Sequence, residues 1–175
     1  DEKGWILFDT GHHPDGMKGR LSSVSQKIAP YFHEEEQRLE NQLAKVGLKP
    51  EDISILALSH MHCDHAGGLY LFTETPEIYV TRENLAAALV TVYGTPDLNN
   101  HAGYVKQDVT EPVQHYCLLP NKDTEIAPGV TLLYLPGHVP GMMGMLVELD
   151  SGNYIFPVDI TNLAANYGPP AKMSG

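Results

Sequence analysis

Ser59-His60-Met61-His62-Cys63-Asp64-His65-Ala66-Gly67-Gly68 decides how this chain is read. It sets four metal-competent side chains within six residues, directly after the apolar run Ile53-Ser54-Ile55-Leu56-Ala57-Leu58. Imidazole nitrogen and carboxylate oxygen suit zinc and other borderline divalent ions. In an extended or tightly turned segment His60 and His62 point the same way, because strand side chains repeat every two residues. Asp64 and His65 follow one step on, where the chain turns. Four donors with two local directions suit two neighbouring metals better than one. A histidine-rich surface loop is the plain alternative, and the second half of the chain weighs against it.

That half supplies further donors. His138 follows an apolar stretch, 130–135, across Pro136-Gly137. Glycine lets the backbone approach closely and proline stiffens the turn, so the loop is built to present a side chain. Alone it reads equally as a plain turn with a solvent histidine. Asp159 ends the run Tyr154-Ile155-Phe156-Pro157-Val158 and is either a turn cap or a ligand. Asp9 ends an earlier apolar strand, Trp5-Ile6-Leu7-Phe8, where a carboxylate commonly caps the turn with its own side chain. A partner that orients a ligand histidine is its other reading.

Around these residues the chain alternates strands and helices. Residues 11–31 are rich in Gly, Pro, Ser and His and read as a long loop. A helix is expected over about 33–46, with Phe32, Leu39, Leu43 and Val46 as its apolar stripe and Gly47 as its cap. Glu34, Glu35 and Glu36 favour the start of that helix and read as a solvated face. Strands are expected at 53–58, 78–80, 113–119, 130–135, 143–149 and 154–160, and a helix at 82–93. Asp150-Ser151-Gly152-Asn153 is a hairpin turn by composition. The pattern predicts an α/β domain with mixed sheets, with the donors at strand ends and in the loops after them.

Composition bounds the rest. The chain has 175 residues, enough for one domain with a real core. Asp plus Glu total 22 against 11 Lys plus Arg, a formal charge of −11, which repels phosphate backbones and argues against nucleic acid as a partner. No apolar run reaches the ~18 residues of a membrane span. Two cysteines, Cys63 and Cys117, make no disulfide framework, and free thiols point to a reducing cytoplasm. No leader segment is evident. The chain opens on Asp1, which fits a piece of something longer.

Taken together, His-x-His-x-Asp-His after a strand, a later Pro-Gly-His loop and an Asp at a later strand end resemble the metallo-β-lactamase superfamily. The phrases Ile-Leu-Phe-Asp-Thr-Gly, Pro-Gly-Val-Thr-Leu-Leu-Tyr and Pro-Gly-His-Val-Pro-Gly are similar to those of its N-acyl homoserine lactonase group. The resemblance implies an αββα sandwich of two mixed β-sheets flanked by helices, spanning residues 1–175 as a single domain that lacks N-terminal strands and a C-terminal part. It implies two divalent metal ions, usually zinc. His60, His62 and His138 would bind the first, Asp64 and His65 the second, and Asp159 would bridge them. A hydroxide held by metal would open the lactone ring of an acyl homoserine lactone or attack a related small ester. Asp64 would also carry a proton to the leaving alkoxide.

Three departures qualify the likeness. The family has a further His ligand after the bridging Asp, and here no histidine follows Asp159. His12, His13, His33, His101 and His115 are the remaining candidates, each read first as a surface or structural residue. Lactonases of this group carry a Tyr three residues after the bridging Asp; here Asn162 stands there, with Tyr167 as a substitute donor toward the substrate carbonyl. Met142, Met143 and Met145 line the region after His138, either as core or as an acyl-chain pocket. A thioester hydrolase resembling hydroxyacylglutathione hydrolases is the competing enzyme reading. A metal-binding chain without turnover is the non-enzyme one. A small-molecule substrate is expected, with no nucleic acid and no membrane as partners.

Overall fold

The computed structural model describes residues 4–32, 34–75, 77–95, 103–161, 163–166 and 168. Their strands form two four-stranded sheets. The first sheet takes β1 (Trp5–Phe8), β2 (Ile53–Ala57), β3 (Glu77–Thr81) and β4 (Tyr116–Leu119), in that order and all parallel. The second takes β5 (Thr124–Ala127), β6 (Val130–Tyr134), β7 (Met143–Leu149) and β8 (Gly152–Phe156), all antiparallel. Each sheet is therefore of one kind, where mixed sheets were expected. Connection length explains the split. Parallel neighbours need long crossovers, and the first half of the chain supplies them as helices. From β5 onward the connections are short, and short connections make hairpins.

Five α-helices lie among the described residues: α1 (Ser23–Ile28), α2 (Leu39–Lys45), α3 (Cys63–Ala66), α4 (Arg82–Gly94) and α5 (Lys106–Val109). The period of two in β2 sorts its residues between two cores. Ile55 and Ala57 face Leu132, Met143 and Met145 of the second sheet. Leu56 packs with Ile78, Val80 and the helical residues Leu43, Ala88 and Val92. The parallel sheet is thus covered on both faces, as its continuous apolar strands require. β8 is exposed along its whole length. No helix of the described residues is long and apolar enough to cross a membrane.

Local readings shift in four places. The helix expected over 33–46 is a 3-10 turn, Glu35–Gln37, and then α2, separated by Arg38 in an extended conformation. Phe32 is 91% exposed and Val46 70% exposed, so the two ends of the supposed stripe have nothing to pack on. Within the supposed loop 11–31, Ser22 caps the short helix α1 by accepting from the Ser25 N–H. The strand expected to run to 160 stops at Phe156, because Pro157 has no N–H to continue the ladder. β5 is a strand the sequence pattern did not reveal.

Candidate metal centre

β2 ends where the histidine motif begins, and the backbone is fixed there from several directions. Asp9, at the end of the neighbouring β1, accepts from the Ser59 N–H (2.7 Å) and the Ser59 hydroxyl (2.7 Å). The Met61 N–H donates to the Asn84 side chain, whose amide donates in turn to the Pro140 carbonyl (2.8 Å). Asn84 therefore ties the histidine motif to the Pro-Gly-His loop from inside α4. Thr10 donates to the His65 carbonyl and accepts from the Gly68 N–H, and Gly68 leaves no room there for a Cβ. Asp64 and His65 ride on the single turn of α3.

The donors converge on one point. The Asp159 Oδ2 lies 3.2 Å from His65 Nε2, 3.4 Å from His138 Nε2 and 3.7 Å from His60 Nε2. His138 Nε2 is 3.1 Å from His62 Nδ1, and His65 Nε2 is 3.5 Å from Asp64 Oδ2. Two groups have donor atoms close enough to share an ion: His60, His62 and His138, and His60, His65 and Asp159. Five residues spread from 60 to 159 thus come together, with His60 common to both groups, and Asp64 reaches the cluster through His65. Among the described residues, Asp9 and Val158 are the non-glycine positions with positive φ, +60° and +46°. A β-branched residue in that region is strained, at a cost on the order of 1–3 kcal/mol. Both positions sit where a carboxylate is aimed into the centre.

Electrostatics separates the two groups. Burial, reinforced by the neighbouring imidazoles, pushes His60 down to about 2 and His62 down to about 4, so both stay neutral and offer lone pairs. Burial alone would lower His65 too, but hydrogen bonds with Asp64 and Asp9 outweigh it and raise that imidazole to about 10. Asp64 resists burial and is held below the usual carboxylate range, chiefly by His65. With no cation bound, an imidazolium at His65 balances the surrounding carboxylates; ligation must release its proton.

The residues fit a divalent ion. The Nε2 atom of His60 is buried without a hydrogen-bond partner, and His62 turns its Nδ1 toward His138 Nε2 (3.1 Å). An orphaned buried nitrogen is costly, and a cation satisfies it. For His60 and His65 the Nδ1 atoms are already engaged: His60 Nδ1 lies 3.0 Å from the Ser59 hydroxyl, and His65 Nδ1 lies 2.8 Å from Asp9 Oδ2. That arrangement aims each Nε2 inward, as metal sites require. Asp9 is therefore the orienting partner as well as a turn residue.

Asn162 and Tyr167 lie outside the described residues, as do His33 and His101. His12 stacks on Tyr31 with ring centroids 3.8 Å apart, and His13 packs on Tyr70. His115 is exposed beside Cys117. None of His12, His13 or His115 belongs to a cluster that could hold an ion among the described residues. Met142, Met143 and Met145 are buried core. Sequence reasoning missed Ser59 and Asn84. Ser59 carries no signal beyond its place in the motif, whereas Asn84, at the start of a helix, is an uncommon residue to bury completely.

A family model described as the metallo-beta-lactamase superfamily matches residues 1–162. The chain is 35% identical to N-acyl homoserine lactonase AiiB of Agrobacterium fabrum over 97% of this chain and 63% of that protein. It is 34% identical to N-acyl homoserine lactonase AiiA of Bacillus thuringiensis subsp. kurstaki over 99% of this chain and 66% of that protein. Among solved structures, an N-acyl homoserine lactone hydrolase with its product N-hexanoyl-L-homoserine at the catalytic metal centre superposes with a TM-score of 0.76 and 30% identity. That match covers 99% of this chain and 66% of the other. The chain spans a little under two thirds of the length of these curated relatives.

Proposed function

The chain belongs to the metallo-beta-lactamase superfamily, and from that premise we propose that it is a metal-dependent hydrolase. The reading is that it opens the lactone ring of N-acyl homoserine lactones or cleaves a related small ester. One observation carries it: three imidazoles converge on a single carboxylate oxygen, and the buried Nε2 of His60 has no other partner. In the proposal His60, His62 and His138 hold one divalent ion, Asp64 and His65 a second, and Asp159 both, with zinc as the metal. When bound, such ions polarise a carbonyl and bring the pKa of water down to roughly 7.

The protein's own side chains do the rest. The neutral state of His60 and His62 keeps two imidazoles ready as ligands at physiological pH. Asp9 and Ser59 hold the rings of His65 and His60 in the orientation that points Nε2 inward. Asp64 is about half exposed at the edge of the centre, where it can accept a proton and pass it to the departing alkoxide oxygen. Asn162 and Tyr167 remain the proposed donors to the substrate carbonyl. The domain reading belongs to the same proposal: residues 1–175 are one domain whose remaining strands lie outside this sequence. The share of the relatives' length that the chain spans supports it.

A substrate panel tests the proposal. Metal-loaded protein should release acid from N-acyl homoserine lactones, and chelation should stop it. Turnover of acyl thioesters without turnover of lactones would move the assignment to the thioester reading. Bound metal without turnover of either would leave the binding protein.

A further inference from the structure

The centre has a neighbour that the chemistry above does not use. A cavity of about 580 Å³ opens between α1 and the segment 103–107 that leads into α5. Cys63, between His62 and Asp64, forms part of its lining. The second wall is anchored to the histidine motif: the Cys63 N–H donates to the Gly103 carbonyl (3.0 Å), and the Tyr104 ring packs edge-on against His62 at 4.6 Å. The opposite wall is α1, a helix of six residues none of which is buried. Packing alone does not position it. Its cap and the bonds of Gln26 and Leu21 are local, running within residues 16–29.

What crosses the gap is an ion pair. Arg20, just before α1, donates from Nε (2.9 Å) and Nη2 (2.5 Å) to Oδ1 of Asp108 on α5. Asp108 is 2% exposed, and Glu111 stands 4.0 Å from the same guanidinium. A buried ion pair is a poor way to gain stability, because desolvating two charges offsets most of their attraction. Fixed geometry is what such a pair supplies.

We infer that the Arg20–Asp108 pair is a positioning device, which sets the spacing of the two cavity walls that receive the substrate's acyl-amide arm while its ring lies at the metal centre. This rests on the lactone reading. The lining suits an amphiphilic arm, with Val24 and Ile28 beside Ser25 and Lys106. Neither Arg20 nor Asp108 touches a reacting atom, so their effect belongs to substrates that carry the arm.

Two substrates separate the possibilities: N-hexanoyl homoserine lactone, which has the arm, and γ-butyrolactone, which has only the ring. Arg20→Met should raise KM for the first about tenfold with kcat changed less than about twofold, and leave kcat/KM for the second within about twofold. Asp108→Asn should show the same split to a smaller degree. The double variant Arg20→Met with Asp108→Leu removes both charges of the pair and guards against misfolding; it should show the same rise in KM. An equal loss on both substrates, or unchanged KM in the folded double variant, overturns the inference alone. Wild-type protein that opens neither lactone overturns the function reading, and this inference with it.

Discussion

The two halves of the candidate metal centre are made of different materials. His60, His62 and His138 form an all-imidazole half, with His60 wholly buried and neutral. Asp64, His65 and Asp159 form a carboxylate-rich half, with Asp64 47% and Asp159 34% exposed. Burial prepares the first half, because it strips protons from imidazoles. Hydrogen bonds prepare the second: Asp9 and Ser59 steer His65, and Asp64 and Asp159 crowd its other nitrogen. One half is set by where it sits in the core, the other by what its neighbours donate and accept.

This contrast is open to attack. The largest effect should come from His60→Ala, since His60 belongs to both ion-sized clusters. It should abolish measurable hydrolysis and bring bound metal below one ion per chain, read by elemental analysis. Asp64→Asn should touch the carboxylate half alone. One ion should remain while kcat falls ~10²–10⁴-fold, the usual worth of a positioned proton carrier. If the two variants lose metal equally, the division into halves is wrong.

Asp9→Asn leaves all six donors in place and removes only the charge that orients His65. It should weaken metal affinity or activity by roughly 10–100-fold, measured by competition with a chromophoric chelator. The smallest effect concerns acid. In the folded chain without metal, His60 and His62 titrate at about 2 and about 4, against 6.5 in the unfolded chain. Their stabilisation is complete above pH 6.5 and is lost as pH falls toward 4. His65, raised to about 10, contributes fully below 6.5 and so does not change in that window. Urea unfolding of chelated protein should therefore show stability falling from pH 6.5 to pH 4, offset in part by the Asp108 carboxyl, whose raised pKa acts in the opposite direction over that window. In an Asp108→Asn background, which removes that offset, a flat profile would mean that the imidazole half is not held neutral by burial.

Much of the centre was legible because ligand chemistry restricts residue type. The spacing of His60, His62, Asp64 and His65 after an apolar strand admits few other uses, and the Pro-Gly-His turn and Asp159 complete the pattern. The orienting shell was less legible. Asp9 read as a cap or a partner with equal force, because both roles want a carboxylate at a strand end. Asn84 acts through bonds to residues more than twenty positions away, and Ser59 is itself fixed by Asp9 fifty positions away, links that no local pattern encodes. In the fold, β2 was clear from its unbroken apolar run. β5 was not, since Thr124-Glu125-Ile126-Ala127 is too short and mixed to show a period. Phe32 and Val46 had helical spacing without a surface to bury them, so periodicity overcalled that helix.

Metal stoichiometry tests the account most directly. Protein purified with zinc and freed of loose ions should carry two per chain by elemental analysis, lose lactone hydrolysis when chelated, and regain it on return of the metal. A chain that binds no divalent ion, or hydrolyses lactone just as fast after complete chelation, would contradict it.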